Sequence, residues 1–421
     1  MAAPFPASFL NSLEKALAHR RAQGQLLHLN PPASELRLID FGSNDSLNLR
    51  SSKFLHNAYV AQFSRLSNED AFIGAGGSRI VDGSHRPVTE LEADLARYHG
   101  AESALLFNSG YEANVAIYGT IPQKGDVIVT DEMIHASIRD GIKSGRAKRV
   151  LAFKHNNPTS LRAVLEDLIA ESENIRTGRQ MVFIALESAY SMEGDVSPLG
   201  AIITVAKQAL PEKNVVVIID EAHSTGLLGP GGCGYTSELG LQGEAVIQMH
   251  SYAKAPGAMG AVVLGPSIMK DFLSNYARSL MYSTGPTLPT VAAIRASMNV
   301  LRSAERDLRR TTLRSNMRFF HSTLATHAKW KQVQKRDILK IPTSTDPYHD
   351  HIPVVPIFTA EGRSFELKEY LAQKGFRTHA FTSPVVPVSE ERIRLMMHVE
   401  RTADEISALV DALMEWGAQK V

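Results

Sequence analysis

Seven short apolar runs punctuate the chain between residues 87 and 265: Ala104 to Phe107, Val127 to Val129, Val150 to Phe153, Met181 to Leu186, Val215 to Ile219, Val246 to Met249 and Ala261 to Leu264. They are too short for buried helices, and they lack the polar alternation of a half-exposed strand. Polar or helical stretches separate most of them. One such stretch carries Val88, Leu91, Leu95 and Tyr98 on a single helical face and is stopped by Gly100. Strands without polar alternation are covered on both faces, and alternation with helices argues a mainly parallel α/β sheet.

The flanks read differently. Residues 8–23 predict a short amphipathic helix with Phe9, Leu13 and Leu17 four apart. Residues 38–41 predict a short strand, and Gly42-Ser43-Asn44-Asp45 a turn. Beyond Pro289, residues 290–328 read as long helix. Strand-like runs follow at His351 to Phe358, Phe376 to Phe381 and Arg392 to Met397, with a polar loop around 335–350. A last helix starts at Thr402, which forms a capping-box pair with Glu405 ahead of Ile406, Leu409, Val410, Leu413 and Met414. The expected organisation is an N-terminal helix with short strands (1–55), a large α/β domain (56–290) and a smaller C-terminal α+β domain (291–421).

Composition removes several function classes. At 44% hydrophobic and 21% charged the chain has enough apolar side chain to fold. Its 45 basic and 44 acidic residues leave no basic excess for nucleic acid. The single cysteine, Cys233, excludes an intrachain disulfide and a Cys-cluster metal site. No run of 18 apolar residues suggests a membrane span. The start lacks a cationic segment followed by an apolar one, and the last residues are not a Ser-Lys-Leu address. A cytoplasmic protein without membrane, nucleic-acid or metal partners is expected.

Three segments then carry chemistry. Val215-Val216-Val217-Ile218-Ile219 ends in Asp220, with His223 three residues on. Ligands of parallel sheets bind at the carboxyl ends of strands. A carboxylate at that rim needs a cationic or N–H partner to offset desolvation, although Asp220 could instead cap the next helix. Lys254 lies among small residues between two apolar runs, in His250-Ser251-Tyr252-Ala253-Lys254-Ala255-Pro256-Gly257. Buried there, its amine loses pKa and becomes a nucleophile toward an aldehyde; the alternative is a solvated loop lysine. Ser109-Gly110-Tyr111 follows a strand and opens a helix, where backbone N–H groups either bind a phosphate or are simply capped. His135 also follows a strand; it could stack on an aromatic ligand or stay a half-buried polar group. An aldehyde, a basic ring nitrogen and a phosphate together describe pyridoxal 5′-phosphate, whose protonated ring is an electron sink.

The same residues resemble the α-oxoamine synthases among the fold-type-I pyridoxal-phosphate enzymes, closest to their 8-amino-7-oxononanoate synthase branch. The resemblance runs over residues 37–415 and rests on Phe41 to Asp45, Gly74 to Arg79, Asn108 to Tyr111, His135 to Ser137, Glu187 to Pro198, Asp220 to Gly229, the Lys254 segment and Tyr282-Ser283-Thr284. The Asp-Glu-Ala-His-Ser-Thr-Gly run with a lysine about 30 residues on is its most specific part. The resemblance implies that Lys254 bonds the cofactor and, once freed, serves as general base. It implies that His135 stacks on the ring, Asp220 pairs with the ring nitrogen, and Ser191 and His223 bind the phenolic oxygen. Ser109, Gly110, Tyr111 and Ser251 would hold the phosphate, and Thr284 would reach the phosphate of a partner subunit in a homodimer with shared sites. Arg394, with Asn44 nearby, would hold the amino acid carboxylate. The implied reaction is a decarboxylative condensation of an amino acid, alanine first, with an acyl-CoA or acyl-carrier-protein thioester. Two departures bear on the acyl group. Thr382 stands where the oxononanoate branch commonly has arginine, and Pro256 stands within the lysine segment, two residues after Lys254. A polyketide or fatty acyl thioester in secondary metabolism is therefore an alternative to the biotin pathway. From a second class, an aminotransferase or lyase would use the same Asp220 and Lys254.

Overall fold

Ile39–Asp40 forms a first short strand, β1. The seven apolar runs then become β2 (Ser103–Phe107), β3 (Val127–Asp131), β4 (Arg149–Phe153), β5 (Val182–Glu187), β6 (Val215–Asp220), β7 (Val246–Ser251) and β8 (Ala261–Gly265). In this computed structural model, which describes residues 5–23, 25–26, 38–69, 72–147, 149–210, 212–244, 246–335, 338–342, 348–359, 363–383 and 385–419, they build one sheet of order β2-β8-β7-β6-β5-β3-β4.

Every pairing in that sheet is parallel except those of β8, which runs antiparallel to both β7 and β2. The cause is the connection. Only residues 252–260 join β7 to β8, too few for the crossover that a parallel neighbour needs, so the chain turns back as a hairpin. Lys254 sits in that hairpin. The carboxyl ends of β2, β3, β5, β6 and β7 consequently share one sheet edge. Helices Arg86–His99, Gly110–Thr120, Pro158–Glu171 and Leu199–Ala209 cover the faces, and β2, β3 and β5 are buried along their whole length. Each fully buried Val, Leu or Ile there contributes about 1.5–3 kcal/mol relative to exposure.

The C-terminal part holds β9 (Leu339–Lys340), β10 (Val354–Thr359), β11 (Phe376–Arg377), β12 (His379–Phe381) and β13 (Arg392–Met396). β12, β13, β10 and β9 form an antiparallel sheet in that order, and β11 pairs in parallel with β1. Thr402 and Glu405 exchange the two capping hydrogen bonds, at 3.0 and 3.2 Å, ahead of helix Ala403–Gln419.

Four elements differ from expectation. The long helix is two, Leu288–Leu301 and Ala304–Thr326, because Ser303 turns extended and starts the second. The strand expected from His351 begins at Val354, since His349–His351 form a short 3₁₀ turn. The run Phe376 to Phe381 divides between two sheets. The N-terminal helix Ala7–Ala22 forms, yet buries none of its residues; Phe9, Leu13 and Leu17 stay 44–49% exposed. Of the expected loop around 335–350, residues 336–337 and 343–347 lie outside the described residues, as does Pro384 of the segment bearing Thr382.

Candidate active site

Two carboxyl groups end adjacent strands at the shared edge. Asp220 closes β6 and Glu187 closes β5, and the parallel register pairs them directly, so their side chains leave the same face. Asn114 Nδ2 donates to Asp220 Oδ2 at 2.8 Å and the Ala222 N–H to Oδ1 at 2.9 Å, which answers the desolvation of that carboxylate. Ser188 N–H donates to the Asp220 carbonyl at 2.9 Å, locking the strand end. Glu187 is treated differently. Burial pushes its pKa well above the carboxylate range, and the negative Asp220 pushes it further, against the pull of Lys254 and the His135 backbone N–H. Glu187 is thus held toward its protonated form beside an anchored Asp220.

Lys254 lies within electrostatic reach of this pair. Burial lowers the pKa of its amine and Arg394 adds to the lowering, while Asp220 and Glu187 oppose it. Its loop is tightly built: the Tyr252 N–H donates to the Gly260 carbonyl at 3.0 Å and Ser297 Oγ to the Pro256 carbonyl at 2.8 Å. Gly257 adopts φ +70°, and a Cβ there would meet Arg50 N at 2.8 Å, so this turn requires glycine. Pro256 is buried in this packing.

Two imidazoles flank the lysine. His135 caps helix Ala136–Ser144; its Nδ1 accepts the Ser137 N–H at 3.2 Å, which places the ring proton on Nε2. Burial lowers its pKa, with Asp220 opposing and Lys254 reinforcing. His223 is lowered well below the ordinary value, first by burial, then by Lys254, Arg394 and His135. Both rings are neutral near pH 7.

Arg394 comes from β13. Its Nη2 donates to Asn44 Oδ1 at 3.1 Å, its guanidinium lies 5.0 Å from the Phe381 ring centre, and its buried Nε has no partner. Burial alone depresses its pKa to about 10. A buried cation without a carboxylate partner is a receptor for an anion.

The helix-start segment lies alongside. Ser109 Oγ accepts the Glu112 N–H at 3.1 Å as cap of helix Gly110–Thr120. A Cβ on Gly110 would stand 3.6 Å from Ser251 Cβ, so β7 and this helix start share one wall. Asn108 Nδ2 donates to the Thr284 carbonyl at 3.0 Å, which puts Thr284 beside the same segment of its own chain. Tyr111 is 49% exposed and its hydroxyl donates to Asp140. Ser191 sits half-buried in the turn between β5 and helix Leu199–Ala209.

Sequence reasoning assigned no role to Glu187, Asn114 or Ser137. Glu187 carried the same signal as Asp220, an acid ending an apolar run; Asn114 and Ser137 had none, since the structure alone brings Asn114 to both Asp220 and Ser137 Oγ (3.0 Å). A separate apolar cavity of ≈ 490 Å³, lined in part by Phe183, Val216, Ile247, Leu264 and Met269, opens at the opposite edge of the sheet and touches none of these groups. Among the described residues no group of three or more His, Cys, Asp or Glu side chains is placed to hold a metal, and no helix is long and apolar enough to cross a membrane.

The profile of the family described as aminotransferase class I and II matches residues 37–413. The chain belongs to that family. Within it, an 8-amino-7-oxononanoate synthase of Emericella nidulans is 36% identical, over 98% of this chain and 96% of its own length. An aminoacyl transferase sphA of Aspergillus fumigatus is 32% identical, over 98% and 88%. The solved 8-amino-7-oxononanoate synthase of Francisella tularensis is 26% identical, with TM-score 0.69 over 91% of this chain and 98% of its own. A PLP-bound serine palmitoyltransferase from S. paucimobilis shares the fold, with TM-score 0.80 at 22% identity over 99% of each chain. The chain is a fold-type-I, pyridoxal-phosphate-dependent acyltransferase of the α-oxoamine synthase group.

The residues present fit that cofactor. A lysine with a lowered pKa would meet the aldehyde, the anchored Asp220 would meet the ring nitrogen, and a capped helix start walled by Ser251 would offer N–H groups to the phosphate.

Proposed function

We propose that the enzyme condenses an amino acid, alanine first, with an acyl-CoA or acyl-carrier-protein thioester, with loss of carbon dioxide. The observation that carries this reading is the buried Arg394 guanidinium, its Nε unpaired and its Nη2 on an amide oxygen instead of a carboxylate, within electrostatic reach of Lys254 and His223: a carboxylate receptor beside an activated amine.

When bound, the pyridoxal ring supplies an electron sink for the substrate α-carbon. Lys254, His135 and Asp220 would hold its aldehyde carbon, ring face and ring nitrogen. Ser109, Gly110, Tyr111 and Ser251 would hold the phosphate, and Ser191 and His223 the phenolic oxygen. Arg394 and Asn44 orient the amino acid carboxylate, which aims its α-hydrogen at the Lys254 amine. That amine, its pKa lowered by burial, takes the proton as general base. His223, neutral, donates an N–H rather than a charge. In a homodimer, Thr284 would complete the partner's phosphate site. A cytoplasmic location belongs to the same proposal.

For the acyl group a second reading has its own support. Thr382, standing where an arginine is expected, places no cation at its own position to meet a distal carboxylate, which favours a polyketide or fatty acyl chain. The test is a panel of amino acids and acyl thioesters scored by thiol release and product mass, beside Lys254→Ala. That variant is expected to lack the absorbance of lysine-bound cofactor and to lose turnover. A variant with both intact would overturn the assignment.

A further inference from the structure

The turn bearing Ser191 is held by a buried ion cluster outside the residues assigned so far. Asp131, fully buried at the end of β3, accepts the Met133 N–H at 2.8 Å, the Asn156 N–H at 2.8 Å and His155 Nδ1 at 2.9 Å. The other nitrogen of the same ring, Nε2, lies 3.0 Å from Asp195 Oδ2, and Asn156 Nδ2 donates to that oxygen at 2.9 Å. An imidazole with each nitrogen on a carboxylate oxygen has two N–H groups to give only when protonated. The His155 ring also packs edge-on against buried Tyr190 at 4.4 Å.

Asp195 is not free to move without Ser191. The Asp195 carbonyl accepts the Tyr190 N–H at 3.0 Å, the Tyr190 carbonyl accepts the Gly194 N–H at 3.0 Å, and Ala189 bridges to Val196. Residues 189–196 are therefore one closed turn. From its far side Arg392 of β13 donates to the Met192 carbonyl at 3.1 Å and to Glu193 at 2.9 Å. Gly194, at φ +73°, is pressed on β10, where a Cβ would lie 2.3 Å from the Val354 carbonyl oxygen.

We propose that His155 is a positioning residue: its imidazolium, bridging Asp131 and Asp195, fixes the place at which the Ser191 hydroxyl meets the cofactor. This rests on the role given to Ser191 above. The charged and titratable groups facing the ring and its turn are Asp131, Asp195, Glu132, Glu193, Tyr190 and Arg392. Burial alone would depress this imidazole, but its bonds to Asp131 and Asp195 outweigh it and raise the pKa to about 10.

Two measurements on the cofactor-loaded protein test the inference. Nitrogen-15 histidine NMR should show one imidazole still doubly protonated at pH 8.5, its signal absent from His155→Gln; a neutral His155 would overturn the inference. Second, the pH midpoint of the bound-cofactor absorbance should shift in Ser191→Ala, His155→Gln and Asp195→Asn alike, with cofactor dissociation raised about tenfold, the scale of one lost hydrogen bond. Because His155 acts through Ser191, adding His155→Gln or Asp195→Asn to Ser191→Ala should move the midpoint no further. Additive shifts refute the inference. So does a shifted Ser191→Ala beside an unshifted His155→Gln and Asp195→Asn, with the assignment of Ser191 left standing. An unshifted Ser191→Ala in a protein that still binds cofactor removes the assignment of Ser191 and the inference with it. Asp195→Asn keeps the Asp131–His155 bond, so it serves if His155→Gln does not fold.

Discussion

Arg394→Met should make the protein more stable and less useful. The guanidinium is 6% exposed, its Nε has no partner, and burial alone lowers its pKa from the ordinary value to about 10. One pKa unit is about 1.4 kcal/mol, so holding this cation costs the free chain about 3 kcal/mol at neutral pH. The sign follows from the direction: the cost is full below the folded value and fades as pH rises toward the unfolded one. Methionine removes that cost and fills a similar volume. It also forfeits the Phe381 contact, about 1 kcal/mol, and the Asn44 bond, about 1 kcal/mol. The net expectation is a gain of about 1 kcal/mol, read as a higher urea midpoint for the variant at pH 7.5. Turnover should move the other way. Losing a buried pair with a substrate carboxylate costs about 2–5 kcal/mol, so kcat/KM for the amino acid falls at least about thirtyfold. Amino acid added to the loaded wild type should raise its urea midpoint and leave that of the variant unmoved. A variant that is less stable by 1 kcal/mol or more (about) while keeping its KM would refute the reasoning, because the cation would then be satisfied within the chain.

Two further outcomes concern ion clusters. Glu92 is buried on Arg79 at 2.8 Å, Lys270 at 2.8 Å and the Leu106 N–H at 2.9 Å, and although burial would raise its pKa these partners hold it below the ordinary range. Its contribution is present above the unfolded carboxyl value and is lost as pH falls through the folded one; Glu92→Gln leaves Arg79 uncompensated and should cost about 3–5 kcal/mol in urea melts near pH 7. His155 has the opposite sign. Raised to about 10 in the fold, it supplies stability that is complete below the unfolded value near 6.5 and disappears through pH 10, so wild type should lose up to about 5 kcal/mol over that window relative to His155→Gln. Parallel stability curves for the two proteins would contradict the assigned charge.

Most of the α/β framework was legible because burial on both faces leaves an uninterrupted apolar run. The same rule hid part of the site. A run is read to its last apolar residue, whereas the hydrogen-bonded strand continues one or two polar residues further: β3 to Asp131, β5 to Glu187, β6 to Asp220, β7 to Ser251. The residues beyond the apolar run are the ones with chemistry. Asp220 was found because His223 and a lysine follow it; Glu187, equally placed, had no such neighbours in sequence. The N-terminal helix shows a second limit. Spacing gives Phe9, Leu13 and Leu17 a common face, but periodicity states nothing about what covers it, and among the described residues nothing buries it.

Contacts between distant segments carry a third kind of information, and β13 shows what it adds. Arg392 and Arg394 are two residues apart and so share a face of the strand. In sequence they are two arginines in an apolar run. In the fold Arg392 meets Glu193, Glu390 and the Met192 carbonyl, and stacks on Phe358 at 4.4 Å. Among the described residues, Arg394 meets an amide oxygen and a ring and no carboxylate. A strand that buries two guanidinium groups and answers one of them has already stabilised the first; the desolvation of the second remains uncompensated until a carboxylate arrives from outside. What separates a structural charge from a binding one here is the missing partner. That partner can be seen to be missing only once Asn44, 350 positions away, is known to supply an oxygen without a charge.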